Sequence, residues 1–446
     1  MQELTELLEE GKSPYHVAAI AAARLCKAGY EELEYREEWN LKAGGRYFIR
    51  PYASMLIAFM IPQNLQRHTP VRIMLAHTDF PCFKVKPKAS MTGKGYMQLN
   101  VEPYGGMLKG TWFDRPLGLY GKAALQSENL YHPAVRLFES EKAVAVIPSL
   151  ALHLRKGAEQ RTEYDMQQEL IPLLGMLKEQ MEKDNFLIKY LTKRLCVEQE
   201  ALLDYDLFIT NMDKPEIIGL EGEFISAPRI DNLASVSAVI EAMTSCSVTA
   251  EAADRQDVHN SLVIAGLFDH EEIGSRSKQG ADSTLLSMVI EKIGAAFGMD
   301  TAALHDMTAG GFLLSVDGAH ALHPNYVNSS DVTNDVLLGG GIVIKSSASQ
   351  RYLSDSEAAA VVEAICRNAH IPYQKQANRS GMPGGQTLGP IAVSYLPMAG
   401  ADIGIPMLAM HSARELAAVS DYEKLVEFLT VYITGQKKLS AAENKS

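Results

Sequence analysis

The sequence is poor in the features that mark disulfide-bonded, membrane or nucleic-acid-binding proteins. Among its 446 residues only 5 are cysteines, and these are dispersed without a CxxC pair, so a disulfide framework and a thiolate zinc site are both poorly supported. No apolar run is long enough to span a bilayer, and the acidic N-terminus lacks the basic start and apolar core of a secretion signal. The formal net charge is −12 and the basic residues are scattered, which argues against a nucleic-acid surface. We therefore expect a cytoplasmic protein with neither membrane nor nucleic-acid partners.

What the sequence does contain is an alternation of β-like runs and helical stretches, which predicts an α/β fold. Its length favours two domains, or one large domain with an insertion. The middle of the chain has Gly-rich turns, short β-like runs such as KAVAVIPSLALHL, and a helical piece, NFLIKYLTKRLCVEQEALL. We interpret it as a second domain inserted into the first, with divisions at 1–87, 88–224 and 225–446.

Four apolar runs, each predicted to be a strand, end in side chains that can bind a metal ion. In open α/β sheets, ligands bind at the carboxyl ends of the strands. A fifth candidate, Asp231 in APRIDNLAS, lies where a loop meets a predicted helix. The runs are IMLAHTD with His77 and Asp79, VIAGLFDHEE with Asp269 to Glu272, FLLSVDGAH with Asp317 and His320, and MLAMHS with His411.

Taken alone, each of these acidic residues is better explained as a helix cap or a solvated turn. Together they favour two divalent ions bridged by carboxylates, with imidazoles as terminal ligands, which is a hydrolase arrangement. Glu271 and Glu272 are adjacent, so one can bind metal while the other takes a proton from water. His77 and Asp79 are two residues apart, so an extended segment directs both to one side, where Asp79 can orient the imidazole.

An ordered set of motifs resembles the aspartyl aminopeptidase family of dinuclear-metal aminopeptidases. A lone HxD or EE would be weak, but the set runs through most of the chain. It comprises AHTDFPCFKVKP, YGGMLKGTWFDRPLGLYGK, IPSLALHL, RIDNLASV, FDHEEIGSRS, SVDGAHALHPNY, GIVIKSSASQRY and LAMHSARE. The resemblance implies a mixed-sheet, zinc-peptidase-like catalytic domain that carries an inserted β-rich dimerisation domain.

The resemblance also implies roles for individual residues. Glu271 would be the general base and Asp79 would support the first histidine ligand. Each subunit would hold two divalent ions, zinc in the first instance, with manganese or cobalt as alternatives. The implied metal ligands are His77, Asp231 (bridging both ions), Glu272, Asp317 and His411.

Family members assemble into tetrahedral dodecamers built from dimers, in which the inserted domain sends a histidine into the neighbouring active site. His153 in IPSLALHL matches that histidine. Without the family match, His153 would be better explained as a surface histidine on a half-exposed strand.

Substrate choice would depend on a local cation, because an acidic protein repels anionic substrates. Lys345 matches the family residue that contacts an acidic N-terminal side chain, and Tyr352 and His320 lie in neighbouring motifs. The alternative is that Lys345 only protects an edge strand. Two departures from the family leave the strictness of the acidic preference open: Ser149 stands where some relatives have histidine, and GMPGGQTLGP lacks a cysteine often found there.

The sequence therefore predicts a metalloaminopeptidase that removes N-terminal residues, preferably Asp or Glu, from peptides. A broader-specificity aminopeptidase and a dinuclear deacylase of N-acyl amino acids stay open. A non-catalytic scaffold or cargo protein with this fold is the alternative from another class.

Overall fold

The computed structural model describes residues 1–154, 163–177, 185–245, 261–382 and 384–435. The helices are α1 Gln2–Glu10, α2 Pro14–Lys27, α3 Phe186–Leu195, α4 Ile230–Ser245, α5 Leu285–Ala296, α6 Thr301–Ala309, α7 Ser356–Ala369, α8 Leu388–Ala392 and α9 Val419–Thr434. The strands are β1 Glu31–Glu32, β2 Arg46–Ile49, β3 Leu56–Met60, β4 Val71–His77, β5 Cys82–Gly93, β6 Tyr96–Tyr104, β7 Leu117–Leu125, β8 Ala134–Glu139, β9 Leu173–Met176, β10 Leu202–Asn211, β11 Glu216–Ile218, β12 Phe224–Ala227, β13 Leu262–Phe268, β14 Phe312–Val316, β15 Ala319–His320, β16 Ile342–Ser346, β17 Tyr373–Ala377, β18 Ala399–Gly404, β19 Pro406–Leu408 and β20 Glu415–Ala418.

The largest sheet has nine strands in the order β1-β2-β3-β13-β4-β14-β18-β16-β17. Its four central strands, β13, β4, β14 and β18, are mutually parallel, whereas β3 and β16 run antiparallel to their inner neighbours. The predicted mixed α/β class is therefore confirmed. Because the central strands run the same way, their carboxyl ends lie along one edge of the sheet.

Both faces of this sheet are covered, which explains why β4 and β13 are almost continuously apolar. Along β4, Met74 and Ala76 belong to the core on one face, whereas Ile73 and Leu75 belong to the core on the other. Successive side chains of a strand point to opposite faces, so an uninterrupted apolar run is what a doubly covered strand requires.

A six-stranded antiparallel sheet, in the order β8-β7-β10-β5-β6-β9, and a five-stranded sheet, β11-β12-β20-β19-β15, complete the fold. Strands of the six-stranded sheet extend from Cys82 to Asn211, while β11 pairs with β12 in the five-stranded sheet. The division at 88 and 224 stays a prediction. Most of the metal-capable residues described below follow strands of the nine-stranded sheet, and His411 follows β19 of the five-stranded one.

Two local predictions were wrong. The segment KAVAVIPSLALHL forms only isolated bridges at Ala145 and Val146, and then a 3-10 turn at Leu152–Leu154. The helical prediction for NFLIKYLTKRLCVEQEALL holds only as far as Leu195. Cys196 then adopts a left-handed conformation that ends the helix, and the chain enters β10 at Leu202.

Candidate metal centre

Three of the sequence-predicted ligand groups follow neighbouring parallel strands. His77 is the last residue of β4, Glu271 and Glu272 lie in a 3-10 turn just after β13, and Asp317 directly follows β14. Since β13, β4 and β14 are adjacent and parallel, these side chains emerge at one edge of the sheet. The expected placement at strand carboxyl ends is thus what the structure shows for this group.

The other two predicted ligands reach the same place from different elements. Asp231 lies at the start of α4, where its φ of −77° and ψ of 110° are not helical. His411 follows the short strand β19 of the five-stranded sheet and has a positive φ of 65°. The strand predicted in MLAMHS was therefore too long, because β19 ends at Leu408 and the chain then turns to present this imidazole.

The carboxylate of Asp231 lies between two groups of side chains. Its Oδ1 is 3.6 Å from His77 Nε2, which is itself 3.5 Å from Asp317 Oδ1. Its Oδ2 is 3.4 Å from His411 Nε2, which is 3.4 Å from Glu272 Oε2. In each group the potential ligand atoms all lie within 4.8 Å of one another. One carboxylate thus offers one oxygen to each of two adjacent sites.

The chemistry of these residues fits divalent cations. Asp231 Oδ1 and Glu272 Oε1 are buried and have no hydrogen-bond partner among the residues that the structure describes. A buried carboxylate oxygen without a partner carries a large desolvation penalty, which an adjacent cation removes. Imidazole nitrogens and carboxylate oxygens are ligands that zinc accepts, and they also suit manganese and cobalt.

Asp79 organises the first half of the centre without being in any of the ligand groups. It is fully buried, and its two oxygens accept the backbone N–H groups of Glu271 and Glu272, each at 3.1 Å, and the Tyr104 hydroxyl at 2.8 Å. His77 Nδ1 lies 3.4 Å from Asp79 Oδ1 and 3.0 Å from the Asp79 carbonyl oxygen. With Nδ1 held there, Nε2 faces the metal position.

Glu415 plays a corresponding part in the second half, and sequence reasoning missed it. Its oxygens accept the backbone N–H groups of Asp231 at 3.0 Å and His411 at 2.8 Å, and the side chain is buried. The only signal was a charged residue opening the otherwise apolar run that forms β20. That pattern could not have shown that Glu415 binds the backbone N–H groups of two predicted ligands, Asp231 and His411.

The crowding of carboxylates also shows in their proton affinities. Burial raises the pKa of Glu271 to about 8, and burial together with the charge of Asp231 raises the pKa of Glu272 well above its usual range. Burial acts to raise the pKa of Asp317, but the Lys345 ammonium and the His77 ring together outweigh it, and the pKa is lowered. A bound cation acts like Lys345, since it stabilises the ionised form.

Lys345, on β16, is 2% exposed, and its Nζ lies 3.7 Å from Asp317 Oδ2 and 5.4 Å from the centre of the buried Tyr352 ring. Burial lowers the pKa of Lys345, yet the surrounding acidic groups, led by Asp317, together more than compensate, so the pKa is raised and the group stays cationic. The structure thus brings Lys345 and Tyr352 to the ligand cluster. The edge-strand alternative does not fit this position, because β16 lies between β18 and β17.

His320, at the end of β15, lines a cavity of about 300 Å³ that also includes His323, Asn334, Gln376 and Arg379. Burial lowers the pKa of His320, and the Lys345 charge adds to this effect. His153 is different. It lies in the exposed 3-10 turn Leu152–Leu154 and is in none of the ligand groups of its own subunit. Its placement on a strand was wrong.

Comparison with known proteins agrees with this geometry. Residues 7–432 match the family model described as "Aminopeptidase I zinc metalloprotease (M18)". The chain belongs to the M18 family of aminopeptidases. A relative from Clostridium novyi (strain NT), named "Probable M18 family aminopeptidase 2", is 38% identical over 421 residues, covering 94% of this chain and 95% of the relative.

Solved structures share the fold over almost the whole chain. The one described as "Cryo-EM structure of the Ape4 and Nbr1 complex" is 30% identical with a TM-score of 0.91, covering 97% of this chain and 85% of the other. "Structure of S. cerevesiae mApe1 dodecamer" is 25% identical with a TM-score of 0.80, covering 96% and 95%. The chain is therefore a metal-dependent aminopeptidase of a zinc family. Among the described residues, no helix is both long and apolar enough to cross a membrane.

Removing metal should destabilise this M18 aminopeptidase. Without a cation, the buried carboxylates around Asp231 repel one another, so zinc that binds only the folded chain raises its melting temperature. We expect the Tm, measured by differential scanning fluorimetry, to fall by several degrees in a strong chelator and to recover with added zinc. Calcium, which prefers more oxygen ligands, is the control and should not restore it. An identical Tm with and without chelator would contradict a metal in this cluster.

The substitution Asp79→Asn should weaken metal binding and activity while keeping a side chain of the same size and shape. Asparagine has one acceptor oxygen where the aspartate uses two, so it cannot accept both backbone N–H groups and also orient His77. We expect kcat/KM to fall roughly 10–100-fold, with weaker zinc retention measured by elemental analysis. Asp206→Asn is the control: Asp206 pairs with Lys84 on the six-stranded sheet, and its loss should leave both readouts near wild type. Equal kcat/KM and equal zinc retention in the two variants would contradict the role of Asp79 in orienting His77.

Proposed function

We propose that the chain is a dinuclear metalloaminopeptidase that hydrolyses the N-terminal peptide bond, with a preference for acidic N-terminal residues. The observation that carries the proposal is the position of Asp231, whose two oxygens face two separate groups of ligands. Two divalent ions per subunit, zinc in the first instance, would then be bridged by Asp231. The terminal ligands would be His77 and Asp317 for one ion and Glu272 and His411 for the other.

Glu271 is the proposed general base. Its side chain is 14% exposed, whereas that of Glu272 is 3% exposed and lies against His411, so Glu271 is the glutamate that a substrate and a water molecule can reach. When bound, the ions would supply Lewis acidity that lowers the pKa of a water molecule and polarises the scissile carbonyl group. Glu271 accepts the proton of that water and delivers it to the leaving amine.

Replacing Glu271 with Gln tests which of the two glutamates is the general base and which is the metal ligand. Glutamine keeps the shape but cannot accept a proton, so we expect kcat to drop by about three orders of magnitude or more, in the range lost with a general base. Zinc content measured on the same preparation should stay at the wild-type value. Glu272→Gln is the matched comparison and should lose metal as well. Metal loss in Glu271→Gln with retention in Glu272→Gln would mean that the roles are exchanged.

An acidic preference is supported by the charge of Lys345, a cation buried beside the ligand cluster of a protein with formal net charge −12. Its present partner is Asp317, so a substrate carboxylate would have to share the ammonium group with that ligand. Tyr352, under the same ammonium, and His320, at the mouth of the adjoining cavity, complete the proposed substrate site.

Lys345→Met tests whether Lys345 selects substrate or only neutralises Asp317. If it selects, kcat/KM should fall at least tenfold more for peptides that begin with Asp or Glu than for those that begin with Ala or Leu. The measurement is a panel of matched peptides with and without N-terminal acetylation, at saturating zinc. An equal loss of kcat/KM for all N-terminal residues would mean that Lys345 only neutralises the charge of Asp317 and does not select the substrate. Faster turnover of the acetylated peptides would favour the deacylase alternative.

His153 is proposed to act in the active site of a neighbouring subunit. Its turn exposes three leucines, Leu150, Leu152 and Leu154, by 55%, 75% and 70%, which is unusual for a surface that faces only water. We propose that 88–224 is a dimerisation domain and that dimers build a dodecamer of the kind solved for the yeast protein. A cytoplasmic location is supported by the four described cysteines, all of which are free thiols.

A further inference from the structure

A small cavity is lined in part by Asp231, the proposed bridging carboxylate. Its volume is about 10 Å³, close to what one water molecule needs. Its lining comes from five parts of the chain: residues 80–81 after β4, the 3-10 turn that contains Trp112, the end of β10, residues 228–231, and residues 412–415. Glu415, the support of Asp231 and His411, also lines it.

Two hydrogen-bond donors at this cavity have no partner among the residues described by the structure. They are Trp112 Nε1 and Arg229 Nε, and both side chains are more than nine-tenths buried. A buried N–H group without an acceptor destabilises the folded state, because it has lost its hydrogen bond to water. One hydrogen-bond acceptor inside the cavity would give both of these N–H groups a partner.

Arg229 is otherwise fully engaged. Its guanidinium donates to the carbonyl oxygens of Leu8 at 2.7 Å and Asn211 at 2.8 Å and to Thr210 Oγ1 at 3.2 Å, and it lies over the Phe80 ring at 5.5 Å. These partners are neutral oxygens and an aromatic face. The guanidinium charge is therefore buried next to a cavity whose other polar lining includes carboxylates.

We propose that one buried water molecule in this cavity accepts from Trp112 and Arg229 and donates to Glu415, and that these three residues position one half of the dinuclear centre. Each Glu415 oxygen accepts one backbone N–H and keeps a second lone pair for the water. Through this water molecule, the positive charge of Arg229 stabilises the negative charge of Glu415. This inference depends on the proposed two-ion function.

The consequence is that the two ions have different supports. The half formed by His77 and Asp317 depends on Asp79, which holds the His77 ring. The half formed by Glu272 and His411 depends more heavily on Glu415, which holds the backbone of His411 as well as that of the shared Asp231. Asp231 is common to both. Weakening the Glu415 support should therefore release one ion before the other.

Trp112→Phe and Glu415→Gln test the proposal. Phenylalanine removes the indole N–H and keeps an aromatic ring against Phe83, which Trp112 contacts edge-on at 5.1 Å. Zinc per subunit is measured by elemental analysis after dialysis against graded chelator. We expect one ion to leave Glu415→Gln at a chelator concentration at least tenfold lower than wild type needs, and several-fold lower for Trp112→Phe. The second ion shares only Asp231 with the Glu415 support, so its release should shift clearly less than that of the first ion in both variants.

A double variant and a control complete the experiment. If both residues act through one water, the double variant should release its weaker ion no more easily than Glu415→Gln alone. Asp206→Asn should match wild type. Equal weakening of both ions, or a folded Trp112→Phe that holds zinc as wild type does, would overturn the proposal. A wild-type subunit that binds a single ion would instead overturn the two-ion function, so the two failures are distinguishable.

Discussion

The structure depends on the electrostatic problem posed by five carboxylates, four that follow parallel strands of the nine-stranded sheet and one, Asp231, that joins them from the start of α4. Asp79, Asp231, Glu271, Glu272 and Asp317 lie within one buried cluster, and the pKa of Glu272 is pushed well above its usual range by burial and by Asp231. No arrangement of backbone hydrogen bonds removes that repulsion. Positive charge removes it, from Lys345 at one side and from the metal that this zinc family binds.

Everything around the cluster serves to hold these side chains at their distances. Asp79 accepts the N–H groups of Glu271 and Glu272, and Glu415 accepts those of Asp231 and His411. The first two contacts lie within the nine-stranded sheet and the other two at the five-stranded one, and the two sheets approach each other where Asp231 lies beside His77. The metal centre of this M18 chain thus forms at the place where these two sheets approach.

Much of the fold class and of the ligand cluster could be predicted from the sequence, because the patterns that indicate them lie within short segments. The apolar runs before His77, Glu271 and Asp317 are strands buried on both faces, and neighbouring parallel strands must bring their ends together. The pairing of His77 with Asp79 followed from side-chain alternation. The α/β class followed from the same periodicity, which the packing of β4 between two cores explains.

What could not be predicted depends on contacts distant in sequence. Glu415 is separated from Asp231 by 184 residues, and no local pattern connects them. The burial of Lys345 against Asp317 likewise depends on the order of β14, β18 and β16 in the sheet. The turn at His153 was mistaken for a strand because an apolar segment that is exposed in one subunit has the same composition as a buried one.

The most direct test of the shared carboxylate is anomalous diffraction at the zinc edge from crystals of the zinc-loaded enzyme. We predict two peaks about 3.5–4 Å apart, the usual separation in two-metal sites, with one oxygen of Asp231 at bonding distance from each. A single peak, or two peaks that do not share Asp231, would contradict the account.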